Sequence, residues 1–271
     1  MLGASRAALG SLVESLREQL VTGIQGQQLG EELFAAVAVL DGSGTLRRAL
    51  TDPSREGEDR SGLARSLFQG KVSDQATELL GAAAALRWSD DQDFADALEQ
   101  VGVRAIFSSA QFEDRVDEVE DQLFRFERVV AADSALRDAV TDRRAEPGRK
   151  ADLVSNLLEG RAAPEAVQLA RQAVLAPRGR RFDQVIADYL AVASQERDEL
   201  TAVVTVAVPL GDDQRERLGA ALSRLYGRHV LVNVVVDPDV IGGIRVETGD
   251  EVIDGTTLRK LDDARRWLTG G

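Results

Sequence analysis

The sequence predicts a mainly α-helical protein: two tandem helical bundles followed by a small C-terminal α/β domain, which makes an α+β architecture overall. Three observations support this fold class: an internal repeat in the first two-thirds, apolar stripes with helical spacing, and a β-branched run that begins at Thr201. The 271 residues suffice for two or three small domains. We expect bundles at residues 1–105 and 106–198 and the α/β domain at residues 199–271.

The internal repeat emerges when the sequence is compared with itself at an offset of about 90 residues. The matching pairs are Leu33 with Leu123, Phe34 with Phe124, Leu46 with Leu136, Arg47 with Arg137, Thr51 with Thr141, Asp52 with Asp142, Leu63 with Leu153, Leu67 with Leu157, Gly70 with Gly160, Ala76 with Ala166 and Leu79 with Leu169. So many matches in one register indicate a duplicated structural unit.

Each copy has apolar residues at spacings of three and four, which alternate in the second copy and indicate amphipathic helices. In the second copy the stripe is Phe112, Val116, Val119, Leu123, Phe126 and Val130, and in the first it is Leu29, Leu33, Val37 and Leu40. Pro164 stands where it can begin a helix, since the first helical position needs no backbone donor. Bundles of this kind leave apolar grooves that can receive a partner helix, although any one stripe can equally face its own core.

The C-terminal third has a strand pattern. Residues 201–208 and 230–236 are rich in valine and predict two strands. Asp212 can cap an intervening helix. Residues 244–248 and 251–253 predict a hairpin. The helix between the strands should turn Leu218, Ala221, Leu222 and Leu225 inward, and a last helix should do so with Leu258, Leu261, Ala264 and Leu268.

Composition excludes several classes of function. The net charge of -13 disfavours nucleic acid and anionic lipid as partners. The absence of cysteine excludes disulfides, thiolate metal sites and cysteine nucleophiles. No apolar run approaches the roughly 20 residues of a membrane span. The N-terminal residues lack the apolar core of a signal peptide, so we expect none.

Motifs for enzymatic chemistry are missing. Gly70-Lys71 lacks the remainder of a phosphate loop, and Gly42-Ser43-Gly44 lacks the third glycine of a dinucleotide loop. His229 is the one histidine, too few for a multi-histidine zinc site, and no nucleophile elbow accompanies it. We therefore expect no catalytic, cofactor-binding or metal-binding residues.

Several charged and aromatic residues have two interpretations. The acidic clusters at 90–93, 113–121 and 262–263 lack calcium-loop spacing and fit solvated helix faces. The basic run Arg178-Gly179-Arg180-Arg181 fits a surface loop or a contact with an acidic partner. Trp88 and Trp267 fit packing or an interface anchor.

A glycine-rich motif in the last domain resembles a known family signature. The signature residues are Asp237, Pro238, Ile241, Gly242, Gly243, Ile244, Gly249, Asp250, Asp254 and Gly255. They resemble the signature of the delta subunit of the F-type ATP synthase, which in mitochondria is the oligomycin-sensitivity-conferring protein. Gly242 and Gly243 suit a tight turn, Gly249 suits positive φ, and Asp254 suits a helix cap. Residues 106–271 cover the usual family length, and the additional first copy resembles the long form with a duplicated helical domain.

The resemblance implies a non-catalytic stator subunit of the peripheral stalk. In that family the helical bundle sits on the catalytic head and receives the N-terminal helices of alpha subunits, while the C-terminal domain holds the b-type stalk subunit. It implies no cofactor, no nucleic acid, no direct membrane insertion and no small-molecule ligand. It also implies a place at the cytoplasmic face of the bacterial plasma membrane.

Two questions stay open at this stage. The composition fits a generic helical scaffold or regulatory adaptor equally well, and only the signature disfavours that alternative. Within the stator hypothesis, we expect the second copy to bind the head and the first copy to brace the stalk. The residues that line the partner grooves are unknown from sequence.

Overall fold

The computed structural model describes residues 3–20, 25–142, 144–226, 229–237, 242–248 and 251–254. Residues 1–194 form one compact unit and residues 195–271 a second. The first six helices are α1 (Ala4–Gln19), α2 (Gly26–Asp41), α3 (Gly44–Thr51), α4 (Gly57–Phe68), α5 (Asp74–Ala85) and α6 (Asp91–Phe112). The next five are α7 (Val116–Ala132), α8 (Ser134–Thr141), α9 (Pro147–Leu158), α10 (Pro164–Leu175) and α11 (Phe182–Asp198). This order confirms the mainly helical class.

The repeat is visible in the helices themselves. Adding 90 to the bounds of α3, α4 and α5 gives the bounds of α8, α9 and α10, and α2 and α7 are related in the same way to within one residue. Helix-start signals recur as well: the Ser43 hydroxyl caps α3, and the Asp133 carboxylate caps α8. Gly70 and Gly160 each follow a helix, and each has a positive φ, a conformation that favours glycine. The two copies therefore share one plan, which we call repeat 1 and repeat 2.

Helix α6 belongs to both repeats. Its first half contributes Phe94, Leu98 and Val101 to the hydrophobic cluster of α1–α5. Its second half contributes Ile106 and Phe107 to the cluster of α7–α11. The predicted boundary after residue 105 falls inside this continuous helix, and the three-part division of the chain stays a prediction.

One helical stripe was predicted incorrectly. Phe112 was assigned to the same helix as Val116, but α6 ends at Phe112 and α7 begins at Val116. Phe112 is 59% exposed, whereas Val119, Leu123 and Val130 are buried as expected. The residues between the helices include Asp114 at positive φ, and this turn breaks the apparent periodicity.

Helices α2 and α6 cross closely because glycine lies at their contact. A Cβ atom on Gly30 would lie 2.8 Å from the backbone oxygen of Gly102 and 2.6 Å from Cγ1 of Ile106. A Cβ atom on Gly102 would lie 2.8 Å from Cε1 of Phe34. Phe34 is consequently buried beneath α6 and joins the hydrophobic cluster of repeat 2.

The second unit contains a four-stranded sheet and one described helix. The strands are β1 (Glu199–Val206), β2 (His229–Val236), β3 (Ile244–Thr248) and β4 (Glu251–Asp254), in the order β2-β1-β3-β4. Strands β1 and β2 are parallel, as expected of strands joined through α12 (Asp212–Tyr226), and the other neighbours are antiparallel. The predicted hairpin is confirmed by the pairing of β3 with β4.

The inward face of α12 differs from the prediction. Leu222 is buried and Leu218 and Tyr226 pack beside it against Val204 and Val230. Leu225 is 65% exposed and Ala221 is exposed as well, so the assignment of these two residues to the core was wrong. A spacing of four from Leu218 to Leu222 to Tyr226 sets the buried stripe. The predicted last helix and Trp267 lie outside the described residues.

Candidate functional site

The residues with possible phosphate-binding or metal-binding roles have structural roles instead. Gly70 forms the left-handed turn after α4, and the Ser43 hydroxyl caps α3 by accepting from the Leu46 amide at 3.2 Å. Asp90 caps α6 in the same way. Among the described residues, no three acidic or histidine side chains are grouped so as to hold a metal ion. A search of those residues also finds no helix with the length and apolarity needed to cross a membrane.

The basic run at 178–181 forms the loop between α10 and α11, and the side chain of its first arginine is 6% exposed. Arg178 Nε lies 2.7 Å from Asp41 Oδ2 at the end of α2. Its Nη1 lies 2.7 Å from Asp96 Oδ1 and 3.0 Å from Glu99 Oε2, both on α6. Burial lowers the pKa of the Arg178 guanidinium, but Asp96, Asp41 and Glu99 outweigh this effect and raise it. Arg178 is thus a charged link from repeat 2 to repeat 1.

Glu99 is the centre of this network. Arg180 pairs with the second oxygen of Glu99 and also with Asp188 at 3.0 Å. The Tyr189 hydroxyl donates to the same Glu99 oxygen at 3.0 Å. Burial, followed by the negative charge of Glu99, raises the pKa of Tyr189 well above its usual value. The run lies in a loop, as one interpretation expected, but Arg178 and Arg180 pair with acidic residues inside the chain, which neither interpretation included. A contact of this run with an acidic partner stays a prediction. Arg181 alone is exposed and pairs with Asp183.

Repeat 1 contains a buried arginine, Arg60, on α4. Its guanidinium donates to five backbone oxygens, which are those of Asp52, Arg55, Ala84, Ala85 and Leu86, at distances of 2.6 to 3.1 Å. Three of these oxygens lie at the C-terminal end of α5, where a cation is favourable. Arg60 therefore seals the junction of α4 with α5.

The matching position in repeat 2 is Lys150, and a cleft of about 470 Å³ opens there. We call it the α7–α10 cleft, because those four helices and the start of α11 line it. Its apolar walls are Val130, Val140, Ala173 and Phe182. No role was predicted for Arg60 or Lys150 from sequence, although the offset of 90 residues aligns them.

An exposed phenylalanine marks the outer surface of repeat 2. Phe124 on α7 is 54% exposed, whereas Phe34, its equivalent on α2, is buried beneath α6. The same position therefore packs against the next repeat in one case and faces solvent in the other. Single exposed apolar side chains are common on protein surfaces. Phe124 differs from these because its equivalent, Phe34, packs against a helix.

The described signature residues converge at the end of β1. The Asp237 amide donates to the Val206 oxygen at 2.9 Å, and Ile244 pairs with Val206 across β3. Gly242 and Gly243 have φ of 63° and 89°, where a side chain would be strained. Pro238, Ile241, Gly249, Asp250 and Gly255 lie outside the described residues, as does the side chain of Asp254.

Trp88 packs within repeat 1. Its ring meets Phe94 edge-on at a centroid distance of 5.7 Å, and its Nε1 donates to the Ala83 oxygen at 2.8 Å. These contacts favour packing over an interface anchor for this tryptophan.

Comparisons with known proteins agree with the signature. Residues 103–268 match the family model described as ATP synthase delta (OSCP) subunit. A protein of Kineococcus radiotolerans named ATP synthase subunit delta is 44% identical over 269 residues, which is 99% of this chain and 98% of that protein. Proteins of the same name from Streptomyces avermitilis and Beutenbergia cavernae are 44% and 40% identical, over 97% and 100% of both chains. These matches extend through repeat 1, which lies almost entirely before the region of the family model.

Proposed function

The chain belongs to the ATP synthase delta (OSCP) subunit family, and we propose from that membership how it serves as a stator subunit of the peripheral stalk of an F-type ATP synthase. It is a structural, non-catalytic subunit. The rotor's torque would turn the catalytic head unless a stator held it. A stator needs long-lived contacts, and differences in affinity between related interfaces lie mostly in the off-rate.

Repeat 2 is the proposed contact with the N-terminal helices of the alpha subunits. Phe124 carries this proposal, because its equivalent in repeat 1 already serves as a helix-docking residue. An amphipathic helix that lays an apolar face on α7 would cover Phe124, as α6 covers Phe34. Repeat 1 then acts as a brace along the stalk.

The second unit is the proposed contact with the b-type stalk subunit. Val208, after β1, and Val236, at the end of the edge strand β2, are both exposed. Their apolar surface suits a helix from the stalk. The chain is a peripheral part of the synthase complex, and we propose that it lies at the cytoplasmic face of the bacterial plasma membrane.

Binding to the catalytic head tests the partner assignment. The purified chain is titrated into heads that have been stripped of their own delta subunit, and binding is followed by calorimetry. We expect saturable submicromolar binding near one chain per head, weakened when the alpha N-termini are trimmed. A folded sample that does not bind would contradict the proposed contact and would favour a scaffold role elsewhere.

A pair of variants tests which repeat makes the contact. Phe124→Glu places a charge on the exposed face of α7 and should weaken head binding by about tenfold or more. Val39→Glu is the control, since Val39 is a comparably exposed residue on α2 of repeat 1. Equal effects of both variants, or an effect of Val39→Glu alone, would contradict the assignment to repeat 2.

A further inference from the structure

Lys150 is a largely buried lysine whose ammonium group has no protein partner among the described residues. It lies in the first turn of α9, lines the α7–α10 cleft and is 8% exposed. Within the described residues, no carboxylate lies within ion-pair distance of its ammonium group and no oxygen accepts a hydrogen bond from it. The ammonium group is not fully enclosed, so it keeps contact with solvent and is open to a bound anion.

Arg60, the equivalent residue in repeat 1, forms hydrogen bonds that Lys150 lacks. Arg60 spans the gap between α4 and α5 and bonds five backbone oxygens. Lysine has one compact ammonium group instead of a planar fork and cannot reproduce this set of bonds. Repeat 2 has lysine where repeat 1 has arginine, and at this position it has a cleft and a cation without a protein partner.

The other charged groups around the cleft either have partners of their own or form no ion pair with Lys150. Arg180 pairs with Glu99 and Asp188, and Arg181 pairs with Asp183. Arg137 donates to the Ala131 oxygen at 3.1 Å. Two acidic residues, Glu127 and Asp138, line the cleft but form no ion pair with Lys150. Because they repel a second negative charge, the cleft suits one localised anionic group and disfavours a polyanion.

We propose that the α7–α10 cleft binds an oxyanion, a carboxylate or a phosphate group, through the Lys150 ammonium. The apolar walls formed by Val140, Ala173 and Phe182 accept an aliphatic or aromatic body attached to that group. A volume of about 470 Å³ lies within the range of small-ligand sites. This site departs from the expectation of no small-molecule ligand, and it does not depend on the stalk role.

The three lysines of the chain make a direct test possible. Lysine labelled with ¹³C at Cε gives one set of signals each for Lys71, Lys150 and Lys260, and Lys150→Arg assigns the Lys150 signal. The labelled full chain is titrated with inorganic phosphate in one series and with butyrate in another, against sodium chloride at equal ionic strength. We expect a saturable shift of the Lys150 signal with at least one of the two.

Lys71 is the internal control, since it is an exposed lysine in the turn after α4. A response to phosphate alone identifies a phosphoryl ligand, and a response to butyrate alone identifies a carboxylate with an apolar body. Shifts of Lys150 that only match those of Lys71 would mean charge screening and would overturn the site.

Two variants provide a second readout in the thermal midpoint of the full chain. Lys150→Met removes the charge and keeps the apolar stem. Lys150→Arg introduces into repeat 2 the arginine that, as Arg60, seals the junction of two helices in repeat 1. The oxyanion that shifts Lys150 should raise the midpoint of the wild type, and its apparent affinity should fall about tenfold or more in both variants. An unchanged ligand-induced rise in either variant would overturn the role of Lys150.

Discussion

At the scale of single residues, the duplicated plan shows which positions changed role. Phe34 and Phe124 are the same residue type, yet one is buried and the other is exposed. Arg60 and Lys150 are both cations, yet only Arg60 has backbone partners. The sequence aligns both pairs, but it cannot show burial or partners, because these depend on which helix lies opposite.

Gly30 is predicted to be essential for the crossing of α2 and α6. In Gly30→Ala the new methyl group would meet the Gly102 backbone oxygen at 2.8 Å, so the helices must separate. We expect a loss of about 1 to 3 kcal/mol in the free energy of unfolding, measured by urea denaturation. Gly10→Ala on α1 is the control, since no atom lies within 4 Å of its Cβ position. It should stabilise by about 0.5 to 1 kcal/mol, and equal losses in both variants would contradict close crossing.

The raised pKa of Tyr189 predicts that the free energy of unfolding falls at alkaline pH. Its pKa is raised in the folded state by burial and by Glu99, so the folded chain holds this proton at a pH where the unfolded chain has released it. Stability should therefore fall as pH rises above the unfolded pKa of about 10, by up to about 1.4 kcal/mol per pH unit. Urea midpoints of wild type and Tyr189→Phe should converge between pH 9 and 11.5. Urea midpoints that stay equally far apart over this pH range would contradict the raised pKa of Tyr189.

At the scale of elements, the periodicity of three and four located most helices because each buries one stripe. It failed at Phe112, where two helices meet across a turn, and at Leu225, where the sheet takes only one narrow face of α12. The ion pairs of the α10–α11 loop were not predicted, for another reason. The partners of Arg178 include Asp41 and Glu99, which are 137 and 79 positions away in sequence. Contacts over such separations have no local signature.

The α10–α11 loop is predicted to stabilise the first unit through Glu99. Glu99→Gln keeps the shape but removes the buried charge that faces Arg178 and Arg180, which leaves the enclosed Arg178 and the partly exposed Arg180 less compensated. We expect a loss of about 3 kcal/mol or more in the free energy of unfolding. The control is Glu78→Gln, which breaks an exposed ion pair with Arg65 and should cost less than about 1 kcal/mol. A similar small loss in both variants would show that the network contributes little.

At the scale of the whole molecule, the shared helix α6 predicts that the two repeats unfold together. Leu33→Ala removes a fully buried side chain from repeat 1 and should cost about 2 to 5 kcal/mol. Hydrogen exchange should then accelerate in α7–α10 as well as in α2–α5. Faster exchange confined to repeat 1 would mean that α6 does not couple the repeats.

The family and the order of elements were predictable from the sequence, because the signature and the repeat are local patterns. The candidate sites were not, since the Phe124 surface and the α7–α10 cleft arise from differences between equivalent positions of two folded repeats. Each site differs from its counterpart in repeat 1 in exposure or in partners, and neither property is written in the local sequence.

The central claim is that this chain couples the rotor to the head by holding the head still. Its most direct test is ATP-driven proton pumping in everted membrane vesicles from which the chain has been removed and then restored. Without the chain, we expect ATP hydrolysis by the head to continue and pumping to be lost, and addition of the purified chain should restore pumping. Full pumping without the chain, or no recovery when it is returned with a demonstrably intact fold, would contradict the stator account.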